Sequence, residues 1–471
     1  MPGCDACAPA LEYEGVRFSY PGANAPVLDG ASLSIEQGAF ALLVGDTGSG
    51  KSTLLALAKP EIAPAGSLEG SVRVFGRQAA DLDVASSAQL VGYVFQNPDN
   101  QLVAQSVWHE LAFGLENLGF PQDEMRRRVA ETCYFLGMDG WFRAETDTLS
   151  GGRKQLAALG SVLAMRPRLL LLDEPTAQLD PIAEKSFLHA LFRVNREMGC
   201  TVVVATHEPR AFVDYATAAY RLRDGAVERV GDMGSLRTLP ELLPGRSRSH
   251  AAPSRALALE RAWFRYDRGS DWVLRNFDLD VARGEVHALV GGNGSGKSTV
   301  LALIAGAYRL NRGSCENGLR SSQVLLPQDP RALMTADTVL GELMEWSDGA
   351  YGEDGARSML ERMGLSGMEA RHPYDLSGGQ QQLLALAKLL MVEPSLLLLD
   401  EPTKGLDNRA RALLARTVDD ARAQGRTMVM ASHDLDFVRQ VADRVTMVFD
   451  GEAACTQEAG EFFRDNVYYR P

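Results

Sequence analysis

Two octapeptides carry the most specific chemistry in this chain: "GDTGSGKS" at 45–52 and "GGNGSGKS" at 291–298. Both read Gly, four residues, Gly-Lys-Ser. Each follows an apolar, strand-like run ("FALLV", "VHALV") and precedes a helix-like one, the context in which this pattern cradles phosphate. Gly45, Gly48 and Gly50, and likewise Gly291, Gly294 and Gly296, let backbone N–H groups close around phosphate oxygens. They do so at a helix N-terminus, whose dipole favours anions. Lys51 and Lys297 have the reach for β- and γ-phosphates, Ser52 and Ser298 suit a Mg²⁺ ion, and Thr53 and Thr299 complete the contact stretch.

A second pair of motifs supplies acid. "LLLLDEPT" occurs at 169–176 and again at 396–403. Four leucines in a row read as a strand buried on both faces, and a buried strand ending in two carboxylates is costly unless they meet a cation. Asp173 and Asp400 are therefore expected to organise Mg²⁺, and Glu174 and Glu401 to polarise an attacking water. Some 33 or 34 residues further on, "VVVATHE" and "MVMASHD" each end an apolar strand in a histidine, His207 and His433. At matching positions after the Asp-Glu pairs, each is expected to bond the γ-phosphate and hold the geometry of the water.

These motifs need two frames, and the chain repeats itself to provide them. "LLVGDTGSGKSTLLAL" returns as "ALVGGNGSGKSTVLAL", and the spacings agree: Tyr20 to Lys51 is 51 − 20 = 31, and Tyr266 to Lys297 is 297 − 266 = 31. The expected organisation is a first domain at 10–238, a linker at 239–256 and a second domain at 257–460. The linker text, "LPELLPGRSRSHAAPSRA", is rich in Pro, Ser and Arg and lacks periodicity. Such a tether spans about 20 Å on average and holds the halves at about millimolar effective concentration, so they are expected to pair within one chain.

Composition narrows the class. A length of 471 residues, 45% of them hydrophobic, suits two domains with their own cores. A net charge of -13 argues against binding to nucleic acid. Six cysteines in so long a chain make no disulfide framework. "CDAC" (Cys4, Cys7) has ligand-like spacing but no second pair, and reads as a loose tail. The longest apolar stretch, "LLALAKLLMVEPSLLLL", is broken by Lys388, Glu393 and Pro394, so no membrane span is expected. No basic segment leads into an apolar core at the N-terminus, so no signal peptide is expected either.

"LSGGRKQ" (149–155) and "LSGGQQQ" (376–382), upstream of the Asp-Glu strands and followed by a histidine, resemble the nucleotide-binding subunits of ABC-type ATPases. The resemblance covers nearly all of both domains. It implies an α/β fold of two tandem P-loop NTPase domains. Each has a RecA-like, mostly parallel sheet core, an antiparallel β part and a helical subdomain. It also implies two ATP molecules held head-to-tail between the halves. Ser377, Gly378 and Gly379 then complete the site of Lys51, and Ser150, Gly151 and Gly152 that of Lys297. A Ser-Gly-Gly helix start can offer a hydroxyl and free N–H groups to phosphate. By the same likeness Tyr20 and Tyr266 stack on adenine, and Gln96 and Gln328 touch Mg²⁺ or the water and report ATP to a partner. Neither site lacks its glutamate or histidine, though Arg153 stands where the family pattern has glutamine.

"FQNPDNQ" (95–101) followed by "FGLENLG" (113–119) is more particular, and resembles the ATPases of energy-coupling factor importers of B vitamins, their precursors, or cobalt and nickel ions. In that family this segment receives a cytoplasmic helix of a membrane scaffold that works with a small substrate-binding membrane protein. The resemblance makes residues 96–117 a docking surface, with Trp108 and Phe113 as anchors and Glu110 and Glu116 facing a basic helix. It puts the protein peripherally on the cytoplasmic face of the membrane. The second half keeps only "LLPQDP". Its lysine-to-glutamine interval shrinks from 96 − 51 = 45 to 328 − 297 = 31, so an outer strand or arm is expected to be cut down. This shortening is similar to that of thiamine-precursor systems. The alternatives are the ATPase of an ordinary ABC permease and a soluble tandem ATPase acting on ribosomes.

Overall fold

Leu169–Asp173 and Leu396–Asp400 are buried at every position, as strands covered on both faces must be. In the computed structural model each is an inner strand of a six-stranded sheet. Residues 8–23, 25–177, 179–237, 254–346 and 352–466 are described by the structure. They divide into two units, Met1–Leu239 and Pro240–Pro471. The expected linker lies outside the described residues up to 253, as do Cys4 and Cys7. The first strand of the second unit, Arg255–Phe264, starts inside the expected linker span.

In the first unit the main sheet runs Ala226–Arg229, Ala218–Arg223, Phe40–Val44, Thr201–Thr206, Leu169–Asp173, Val91–Val94. All pairings are parallel except that of Ala226–Arg229, a hairpin at the edge. The second unit repeats this order from Glu452–Glu458 to Gln323–Leu326. Phe40–Val44 and Val286–Val290, the strands that feed the phosphate loops, lie inside and are wholly buried. Truncating a core leucine such as Leu171 should cost about 2–5 kcal/mol, the usual range for a buried leucine.

An antiparallel sheet flanks each core, four-stranded in the first unit and three-stranded in the second. The shortened interval has its structural counterpart here. Between Ser67–Val74 and Val91–Val94 the first unit carries a short strand, Arg77–Gln78, and a helix, Val84–Leu90. The second unit has only the turn Arg320–Ser322 between Arg312–Asn317 and Gln323–Leu326. In each unit three of the helices pack together: Val107–Asn117, Gln122–Leu136 and Gly151–Ala164 in the first, and Val339–Glu345, Gly352–Arg362 and Gly378–Met391 in the second. Among the described residues no helix is long and apolar enough to cross a membrane.

Candidate functional site

Both phosphate loops end in a glycine at the N-cap of the following helix, Gly50 at φ 101° and Gly296 at φ 106°. A side chain there would be strained and would also collide, at 2.8 Å from Val27 Cγ1 or Leu274 Cδ2. Lys51 Nζ donates to the carbonyls of Gly45 (2.8 Å) and Asp46 (3.1 Å), and Lys297 Nζ to those of Gly291 (2.9 Å) and Gly292 (3.0 Å). Each ammonium is thus held over its own loop. The buried hydroxyls of Ser49 and Ser295 have no hydrogen-bond partner among the described residues. Sequence reasoning passed over both serines, although their place inside the glycine pattern was the available signal.

The acidic strand ends meet these loops. Glu174 Oε1 lies 3.5 Å from Lys51 Nζ and 2.9 Å from His207 Nδ1, and Glu174 Oε2 accepts from the His207 backbone N–H at 3.3 Å. The second unit repeats the corner: His433 Nδ1 is 2.7 Å from Glu401 Oε2, whose carboxylate accepts from the His433 N–H at 3.2 Å. Both glutamates adopt the left-handed region, at φ 44° and 49°, a strained choice for a non-glycine residue. The bend lets Glu174 N–H donate to Ala205 O and Glu401 N–H to Ala431 O, each at 2.9 Å. The acid is thereby pinned to the strand that carries the histidine.

Electrostatics follow from burial and these contacts. Burial pushes the Glu174 carboxyl up, but hydrogen bonding to His207, its charge and Lys51 together hold it below its ordinary value. Glu401 is lowered in the same way, against burial, by His433 and Lys297. Burial pulls both histidines down, and the facing glutamates overcome it, raising them. Both shifts favour the charged form of each pair. The aspartates one residue earlier go the other way. Burial raises Asp173, and it pushes Asp400 to about 6.

The aspartates bear on the metal. Asp173 Oδ1 is buried without a hydrogen-bond partner among the described residues, and Asp400 Oδ1 accepts only at 3.0 Å from Ser298 Oγ among the described contacts. A serine hydroxyl beside a buried carboxylate fits an oxygen-seeking divalent cation. No cluster of three protein carboxylate, histidine or cysteine ligands exists among the described residues. Such an ion would have to share phosphate oxygens, as Mg²⁺ commonly does.

The remaining expected residues are more scattered. Tyr20 and Tyr266 are exposed, and their hydroxyls bond Thr53 (2.9 Å) and Thr299 (3.0 Å), which stands each ring beside its phosphate loop. Gln96 and Gln328 are exposed just after the strands Val91–Val94 and Gln323–Leu326. Ser150, Gly151 and Gly152, and Ser377, Gly378 and Gly379, open the helices Gly151–Ala164 and Gly378–Met391. Among the described residues no hydrogen bond ties these serines to the phosphate loop of their own unit. Their caps differ. Ser377 Oγ accepts from Gln380 N–H while Gln380 Oε1 accepts from Ser377 N–H, a reciprocal capping box. Ser150 makes no side-chain cap bond, and Arg153 lies over the Trp141 ring at 5.5 Å.

The docking segment is partly corrected. Trp108 and Phe113 are 42% and 48% exposed, so both face outward, and Glu116 is exposed. Glu110 is not a surface acid: it is buried, and its Oε2 accepts from the N–H groups of Val103 (2.9 Å) and Ala104 (2.7 Å). Among the described residues those loop donors have no other partner, so the buried acid serves the loop beside it. The Gln101 amide is also spent internally, on Phe95 N–H and on the carbonyls of Tyr93 and Ala158.

The ABC transporter family matches residues 28–177 and 274–404. A candidate ABC transporter ATP-binding protein of Bacillus thuringiensis subsp. konkukian is 37% identical, over 97% of this chain and 93% of its own. A candidate HMP/thiamine import ATP-binding protein of Bacillus subtilis is 30% identical, over 96% of this chain and 92% of its own. Among solved structures, an archaeal ribosome recycling factor in complex with a ribosomal stalk protein matches with TM-score 0.67 at 20% identity, over 94% of this chain and 90% of that one. That last likeness is one of fold alone. The chain belongs to the ABC transporter ATP-binding family, as an ATPase of two tandem ABC domains.

Proposed function

We propose that this chain is the ATP-hydrolysing, energy-coupling subunit of an importer of the energy-coupling factor type, working from the cytoplasmic face of the membrane on a vitamin, a vitamin precursor or a transition-metal ion. The observation that carries the catalytic part is the duplicated corner of Glu174 with His207 and Glu401 with His433. The likeness to an HMP/thiamine import protein supports the vitamin-precursor arm. The outward Trp108 and Phe113, on the helix that follows Gln96, support docking through residues 96–117 to a transmembrane scaffold with its small substrate-binding partner.

In this reading two composite sites form head-to-tail within one chain. The loop of Lys51, Ser52 and Thr53 receives Ser377, Gly378 and Gly379, and the loop of Lys297, Ser298 and Thr299 receives Ser150, Gly151 and Gly152. Glu174 or Glu401, ionised and held by its histidine, takes a proton as water oxygen attacks the γ-phosphorus and the bond to the β–γ bridging oxygen breaks. His207 or His433 bonds the γ-phosphate, Gln96 or Gln328 orients the water, and Tyr20 or Tyr266 stacks on adenine. Ser52 with Asp173, and Ser298 with Asp400, would hold Mg²⁺, which supplies positive charge to the phosphate oxygens when bound.

The test is a detergent pull-down of the tagged protein from its own membranes. Recovery of a transmembrane scaffold with a small, very apolar protein is expected, and should be lost in Trp108→Ala/Phe113→Ala. Recovery of ribosomal components, or of no membrane protein, would overturn the importer reading.

A further inference from the structure

The helix Gly378–Met391 carries a lysine where an apolar residue belongs. Lys388 is 1% exposed. Its ammonium donates to Leu333 O at 2.8 Å, to Glu342 Oε2 at 2.5 Å and to Glu345 Oε2 at 2.7 Å, and lies 4.7 Å from the Trp346 ring centroid. The carboxylates are satisfied in turn. Glu342 Oε1 accepts from the N–H groups of Thr335 (2.6 Å) and Ala336 (2.7 Å), and Glu345 Oε2 accepts from Thr335 Oγ1 at 2.6 Å. One buried cation thus lashes residues 333–346, the stretch that follows Gln328, to the helix that starts at Ser377. A buried ion pair with its remaining lone pairs filled favours one packing arrangement over its alternatives.

The first unit lacks this device at the corresponding place. Counting from the two serines, 388 − 377 = 11 and 161 − 150 = 11, so Ser161 stands where Lys388 does. Its hydroxyl turns back to Ala158 O, 3.0 Å away in its own helix. Glu110 makes the same two loop bonds as Glu342, while Phe113 replaces Glu345 and faces outward. The helix Gly151–Ala164 reaches the preceding loop without an internal ion pair, through the Gln101 amide on Ala158 O at 3.3 Å, the Gln155 amide on Phe95 O at 3.4 Å and, at the surface, Lys154 Nζ to Asp99 at 2.6 Å.

We propose that Lys388 is a positioning residue that couples nucleotide engagement at Ser377 and Gly379 to residues 333–346, a coupling built into the second unit and not the first. It acts through the helix, with Glu342 and Glu345 as its two attachments. The proposal rests on the reading that Ser377 and Gly379 contact ATP.

Hydrogen exchange of the full chain, with and without ATP and Mg²⁺, tests it in a Glu174→Gln/Glu401→Gln background that spares the nucleotide. ATP should slow amide exchange in 333–346 and in 378–391 together, by about tenfold, within the usual range of coupling between sites. In Lys388→Met the slowing of 333–346 should fall below about twofold while that of 378–391 persists. Glu345→Gln keeps the buried Lys388–Glu342 pair, and with it the fold, and should weaken the coupling in the same direction. Lys388→Arg, which keeps the cation, should restore it, and Ser161→Ala should change nothing. Slowing of 333–346 that survives both Lys388→Met and Glu345→Gln would overturn the proposal. So would an unaltered protein in which ATP slows 45–52, 291–298 and 378–391 but not 333–346. If ATP slows none of these segments, the nucleotide reading has failed and the coupling falls with it.

Discussion

The two units share one acid–histidine corner but differ in the frame around it. Glu174 with His207 and Glu401 with His433 agree in partner, bend and direction of charge. Beneath them the units diverge. The strand before the first phosphate loop is apolar throughout, whereas the second carries His287, wholly buried between Glu285 Oε1 and Thr446 Oγ1 at 2.7 Å each. The first unit shows Trp108 and Phe113 to solvent, and the second instead buries Lys388 against Glu342. In the proposed mechanism the corner touches the reacting atoms and so tolerates little variation, because a small displacement of a catalytic group costs much of the rate. The frame has many solutions of similar energy, so one half can bury a histidine or a lysine that the other does without.

The comparison yields predictions of decreasing size. Lys388→Met strands a buried carboxylate and should destabilise the second unit by about 3–5 kcal/mol, whereas Ser161→Ala should stay within about 0.5 kcal/mol. Urea unfolding followed by unit-resolved hydrogen exchange reads both, and equal effects would erase the asymmetry. Next come the bases. Glu174→Gln/Glu401→Gln should lower ATP turnover about 10²-fold or more while ATP still binds. Each single variant should remove about half the turnover if the corners are equal, as their geometry implies. One single variant taking most of it while the other takes little would show that the two sites are unequal.

Smaller effects separate the helix starts. Ser377→Ala breaks a reciprocal cap and should cost about 1 kcal/mol, against a few tenths for Ser150→Ala, with Arg153→Gln recovering part of that cap in the first unit. Thermal unfolding measures this. The smallest effect concerns acid. Burial raises Glu285, but His287 wins and holds it below its ordinary 4.5. A depressed acid contributes stability above its unfolded value and loses it as pH falls through the folded one. The second unit should therefore weaken below about pH 4.5 more than Glu285→Gln does. Exchange of Val286–Val290 against Phe40–Val44 along an acid titration reads the difference.

Much of the site was legible because its signals are local. The leucine runs name buried strands, and their carboxylate ends and the glycine loops can be found by spacing alone. The segment around Glu110 misled for an instructive reason. Val107, Glu110, Leu111 and Leu115 share one face at helical spacing, and all four are buried. The period placed Glu110 inside, and its charge argued the other way. The charge is tolerated because the two backbone donors of Val103 and Ala104 satisfy it.

By itself the sequence determined the duplication, the two phosphate loops and the Asp-Glu and histidine strand ends, since this chemistry demands fixed residue types at fixed short spacings. Only the tertiary structure decided which charges are spent inside the fold. Lys388 and Glu342 stand 46 residues apart, and nothing along the chain announces their meeting. Nor does any sequence pattern mark the left-handed bend of Glu174 and Glu401, a local strain held in place by the strand lying beside it.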